Sequence, residues 1–156
     1  MSNSYQPPKN PIELLSRWNK RARESQFCHY YVAKKLHGKN VALGIAIILI
    51  TTINGLTSIF STPPKEFTIA LGFLSLVATF LTSLQTFFKY EERSISHRNA
   101  GAKYGSARRY MEQLLSSNAE PSSQDTDTAR KMLDGLAEAS PSVSKSELQK
   151  SLNSES

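Results

Sequence analysis

From Val41 to Phe60 the chain runs for twenty residues without a charge, and Phe67 to Phe88 adds a second uncharged run after only six residues. A helix rises about 1.5 Å per residue, so each run covers roughly 30 Å, the hydrocarbon thickness of a bilayer. Two such runs side by side predict a helical hairpin that crosses a membrane, with spans 41–60 and 67–88. Upstream of the first run the pattern changes period instead of stopping. Leu15, Trp18, Ala22, Ser25, His29, Val32 and Leu36 recur at spacings of three and four, one face of a helix. The segment NPIE supplies an entry, with Asn10 as N-cap, Pro11 at the first helical position and Glu13 at the third. Nothing after it stops the helix before the membrane, so one helix is predicted from Pro11 to about Phe60.

The segment STPPKE breaks that helix and offers Thr62 as the next cap. The second helix crosses from about Glu66 to Phe88 and meets no breaker afterwards. Its continuation carries His97, Ala100, Tyr104, Ala107, Met111 and Leu114 at the same spacing of three and four, while Gly101 and Gly105 thin one face for a close neighbour. With the turn between Pro63 and Pro64, residues whose numbers sum to about 127 lie level in an antiparallel pair. His29 then falls beside Arg98, and the two stripes make an antiparallel stalk with Trp18, Ala22, His29, His97, Ala100 and Tyr104 as its contacts.

The predicted fold is all-α: a two-span transmembrane helical hairpin, extended by a cytoplasmic antiparallel stalk, plus short C-terminal helices. Residues 1–10 read as a disordered start and 11–116 as the two-transmembrane domain, its stalk formed by 11–40 and 89–116. Residues 117–126 are a linker by composition, rich in Ser with Pro121. Residues 127–152 hold short amphipathic helices, the first with Ala129, Met132, Leu133 and Leu136 on one side, the last opened by a Ser144–Glu147 capping box. Residues 153–156 form a loose tail.

Composition changes this picture little, because a slightly polar average hides the segregation of apolar residues into 41–88. Charge adds orientation. Residues 1–40 hold eight Lys or Arg against two acids, which accounts for the net charge of +6, and residues 89–156 hold ten of each sign. The loop between the spans has one basic residue, Lys65, whereas each flank has five within twenty positions. That asymmetry places both termini in the cytoplasm. It also explains the basic excess through lipid rather than nucleic acid, and RWNKRAR reads as a contact for lipid phosphates. Neither run reads as a cleaved signal peptide, since the first begins forty residues in and a second span follows at once. The single cysteine, Cys28, excludes an internal disulfide.

The apolar runs are unusual in their hydroxyls. On the second span Thr68, Gly72, Ser75, Thr79, Thr82 and Thr86 form a continuous small, polar stripe. The first span has a shorter one in Gly44, Thr51, Gly55 and Ser58, with Asn54 beside it. Such a stripe either packs helix against helix, with hydroxyls bonding across the interface, or faces water in a pore built by several hairpins. His29 and His97, at one level, are candidates for pH sensing, metal binding or plain packing, but no carboxylate or cysteine on their stripe completes a ligand set. No metal site and no cofactor is predicted, and His37 carries no assigned role. The chain has no Gly-rich phosphate loop, no nucleophile set beside a base and no paired carboxylates on one face beyond Glu91–Glu92. No catalytic residue is therefore nominated, and the expectation is a protein that is not an enzyme.

With these residues laid out, the chain resembles the SLATT family of two-transmembrane effector domains associated with bacterial nucleotide-signalling systems. The resemblance runs over roughly Pro11 to Leu152 and rests on RWNKRARES, on HYYVAKKL before ALGIAIILITTINGLTSIF, on EERSISHRNAGAKYGSARR with His97, Ala100 and Tyr104, and on LDGLAEASPSVS. It implies an inner-membrane effector of antiviral or other conflict systems that oligomerises with itself and perforates the membrane to stop growth of an infected cell. It implies pore lining by Thr68, Ser75, Thr79, Thr82 and Thr86, and a trigger that is a nucleotide second messenger or a separate sensor protein. The rival expectation is a non-conducting membrane-anchored sensor or scaffold.

Overall fold

A computed structural model describes residues 6–60, 64–117 and 119–154, the side chains of Ser58 and Phe60 excepted. The described residues are 87% helical with no strand among them, which makes the fold all-α. Five helices follow in order: α1 (Pro11–Phe60), α2 (Lys65–Phe88), α3 (Tyr90–Ser116), α4 (Ser123–Ala139) and α5 (Lys145–Asn153). Contacts divide them into two compact units, one of Met1–Ala33 with Ile95–Ser156 and one of Lys34–Ser94.

The first unit is a small bundle. Asn10 caps α1 as its sequence predicts, its Oδ1 accepting from the Glu13 N–H at 2.7 Å. The segment read as a disordered start is tied down over its described part: the Lys9 N–H donates to Glu13 at 2.8 Å and Arg17 donates to the Gln6 carbonyl at 2.6 Å. The Lys9 bond, and then Arg17, hold the Glu13 carboxyl below the usual carboxylate range. Leu15, Ala22, Met111 and Ala129 form the core, with Trp18, Tyr104, Tyr110, Leu114 and Leu133 packed against it. The predicted stripes of α1 and α3 meet in the predicted antiparallel register. His29 touches His97 and the Gln26 carbonyl faces Gly101, pairs summing to 126 and 127, while Tyr30 on Gly101 and Gln26 on Gly105 sum to 131, about one turn along. A Cβ on Gly101 would sit 3.1 Å from the Tyr30 ring and 3.3 Å from the Gln26 carbonyl oxygen, which is why this face must be thin.

Helix α4 starts at Ser123, four residues before the predicted start at Asp127, within the segment read as a linker. The cause is a capping box: Ser122 Oγ accepts from the Asp125 N–H and the Asp125 carboxylate accepts from the Ser122 N–H. The Ser122 hydroxyl, donating to the Asp125 carboxylate at 2.7 Å, and then the Ser122 N–H hold that carboxyl below its usual range. The Ser144–Glu147 box opens α5 as its spacing predicts.

The second unit is a hairpin of two antiparallel stretches, joined through residues 61–63; Thr62 lies outside the described residues, and the cap expected there is not used, because α2 has Pro64 as its N-cap with no side-chain hydrogen bond. The α1 and α2 helices are long and apolar enough to cross a membrane. Their most apolar windows are 0% and 6% buried within the chain, the reverse of a soluble core helix. Ile48, Ile59, Phe73, Leu76 and Phe87 are all more than 60% exposed. Side chains of that kind each favour an apolar environment by about 1.5–3 kcal/mol, so the hairpin requires a cover that it does not itself supply.

One departure from the sequence pattern lies at the end of α2. No breaker is predicted after Phe88, yet Lys89 takes φ 48°, ψ 44°, the left-handed region. Its N–H still bonds to the Gln85 carbonyl and its carbonyl accepts from the Arg93 N–H, so α3 resumes at once as a bent continuation.

Candidate functional site

The stripe on the hairpin is built from residues that satisfy their own hydroxyls. Thr51 donates to the Ile47 carbonyl at 2.9 Å, Thr68 to Pro64 at 3.3 Å, Ser75 to Leu71 at 3.0 Å, Thr79 to Ser75 at 2.9 Å and Thr82 to Ala78 at 2.9 Å. A back-bonded hydroxyl leaves no bare donor to face hydrocarbon, so these side chains need neither water nor a partner helix. Thr51, Thr68, Gly72, Ser75, Thr79, Thr82 and Thr86 are all exposed on the chain itself. Gly72 has nothing within 4 Å of where a Cβ would stand, so its face is open. Ser58 lies outside the described side chains.

Asn54 differs from its neighbours. Its Nδ2 donates to Ser75 Oγ at 2.9 Å and reaches the Leu71 carbonyl at 3.4 Å. The amide is thereby engaged inside its own hairpin as a bond between the two helices, the first of the two roles its stripe allows. Ser75, read as lumen-facing, is its partner. An amide left unbonded in an apolar setting costs roughly 2–7 kcal/mol, so this clamp holds α1 to α2 at a defined level.

A second polar clamp went unseen in the sequence. Gln85 Nε2 donates to Asn40 Oδ1 at 2.8 Å, Asn40 Nδ2 donates to Glu91 Oε2 at 3.2 Å, and His37 Nδ1 lies 3.0 Å from the same Glu91 oxygen. The register of about 127 already brings these four residues to one level, and that was the available signal. Lys39 Nζ sits 5.8 Å from the centre of the Tyr90 ring, which stacks on Phe88, an aromatic and basic pairing suited to a lipid–water boundary.

In the bundle, His29 and His97 are each only 4% exposed, and their Nδ1 atoms are 2.9 Å apart. One ring must donate and the other accept, which needs at least one neutral imidazole. Tyr104 stacks on His29, with ring centres 5.5 Å apart and planes at 17°. Burial first, and then the neighbouring His97, push His29 down to about 4. Two unit charges at that separation would repel by about 6 kcal/mol at an effective dielectric near 20. Ala22 and Ala100 are buried and Trp18 half-buried, on the faces where the stripes place them. Cys28 is free and buried beside Ser151 of α5, and burial raises its thiol. Among the described residues no group of three His, Cys, Asp or Glu is placed to hold a metal ion.

Two clefts run along this bundle. One of about 270 Å³ lies between Trp18, Arg21, Tyr104, Arg130 and Leu133. The other, of about 380 Å³, is lined by Cys28, His29, Tyr104, the 140–144 segment, Lys145 and Leu148. Arg130, at the first, is already engaged by Asp127 and Asp134. Compared with known proteins, the chain matches no family model, no curated protein and no solved structure.

Proposed function

We propose that this protein is a membrane effector that assembles with copies of itself through the hairpin unit and permeabilises the membrane. The observation that carries the reading is the uncovered small, polar face of α2, continuous from Thr68 to Thr86 on a helix otherwise dressed for lipid. Two helices enclose no lumen, so conduction requires several hairpins. The membrane is the inner membrane, with both termini cytoplasmic, in keeping with the basic residues on the two flanks of the hairpin and their scarcity in its loop. The resemblance to SLATT effectors supports the same reading and adds its setting: an antiviral, growth-arresting response triggered by a nucleotide signal or a separate sensor protein. A non-conducting sensor or scaffold is the second reading. It is favoured by the back-bonded hydroxyls, which are content in lipid or at a dry helix interface.

The test is conductance of the purified protein in a planar bilayer, comparing the chain with Thr79→Leu/Thr86→Leu. Ser75 is unsuited because its loss also opens the Asn54 clamp. Loss of at least about tenfold in conductance with unchanged oligomer size supports the pore; each Thr→Leu change closes a polar path through the hydrocarbon. Conductance that is absent from the parent chain under every trigger tried establishes the scaffold reading instead.

A further inference from the structure

The bundle holds two histidines whose geometry fixes how many protons they can share. Their Nδ1 atoms face each other at 2.9 Å, buried, across the α1–α3 contact. With no added proton, one Nδ1–H donates to the lone pair of the other Nδ1. With one added proton, an imidazolium donates to the remaining neutral ring and the bond is kept. With two, both Nδ1 atoms carry hydrogen, neither has a lone pair, and two cations stand where a hydrogen bond stood.

The geometry points to a proton-binding site shared by His29 and His97, which holds α1 against α3 with up to one added proton and separates them with two. Protons have a route in, because His29 lines the cleft of about 380 Å³. The titratable groups around that cleft are few. On α1 there is Cys28, on α3 the stacked Tyr104, and from α4 only Ala137. On α5, Lys145 lines the cleft and Glu147 acts on Cys28. The depressed proton affinity of His29 agrees in sign. The folded ring binds its proton less readily than an unfolded one, so stability is full above about pH 6.5 and falls as pH drops from there toward 4. The inference is independent of whether the hairpin conducts.

The experiment uses the full chain in detergent with Cys28→Ser, carrying spin labels at Lys20→Cys on α1 and Ser106→Cys on α3. Both sites are exposed, and they lie at one level of the bundle. The label distance should widen between pH 6.5 and 4, and this transition should be absent, or moved by more than about one pH unit, in His29→Gln/His97→Gln. That variant keeps a side-chain hydrogen bond without a titrating ring. An acid transition unchanged in the variant overturns the proposal. Should the variant not fold, imidazole nitrogen shifts of the parent chain decide. Two separated protonation steps, the second coinciding with the widening, support the shared site, and simultaneous titration of both rings with the helices still packed overturns it.

Discussion

Gly101 and Gly135 are both helical glycines, and their surroundings give them opposite prospects. Gly101 looks onto the Tyr30 ring and a backbone oxygen at 3.1 and 3.3 Å, while Gly135 has nothing within 4 Å. Gly101→Val is expected to destabilise the bundle by about 1–3 kcal/mol through overpacking. Gly135→Ala is expected to stabilise it by about 0.5–1 kcal/mol, because alanine gains helix propensity in open space. Thermal or denaturant melts of the two variants check both signs. That Gly101 and Gly105 leave a thin face was legible in the sequence; which of them matters was not. A Cβ on Gly105 would meet the far end of the Gln26 side chain, which rotamer changes can shift, whereas Gly101 faces a backbone carbonyl oxygen, which they cannot. The same limit applies to the hydroxyls. Their periodicity along α2 was plain, but whether Thr79 bonds across an interface or back to Ser75 depends on rotamers that spacing does not encode.

At the scale of elements, most boundaries follow from local chemistry. Asn10, Ser144 with Glu147, and the run STPPKE all carry their signals in three or four residues. The early start of α4 follows the same logic, since Ser122 with Asp125 makes a box that uses Asp in place of the usual Glu or Gln. Lys89 is different. No residue near it demands a left-handed turn; Gln85 before it and Glu91 after it are both bonded to Asn40 of α1, and Lys89 absorbs the bend between two pinned ends. A left-handed conformation costs a non-glycine residue roughly 1–2 kcal/mol. Lys89→Gly is therefore expected to stabilise the hairpin by about 1 kcal/mol, and Lys89→Ile to destabilise it by a similar amount, read from unfolding in a denaturing detergent.

The whole molecule divides into a bundle that covers its own core and a hairpin that does not. That contrast makes a simple expectation: the chain stays with the membrane fraction through an alkaline carbonate wash and is released only by detergent. Recovery in the wash as a compact monomer would remove the basis for every membrane reading above. Taken alone, the sequence determined most of the helices, the two stretches long and apolar enough to cross a membrane, the approximate antiparallel register and the inward face of the bundle, because periodicity, charge and caps act over a few residues and add up along the chain. Only the tertiary structure decided that Asn54 is held by Ser75, that His37, Asn40, Gln85 and Glu91 form one network, and that Cys28 is covered by α5. Those contacts join residues far apart in the chain, and their partners are chosen by the rotation of one helix about another, an angle that no local pattern records.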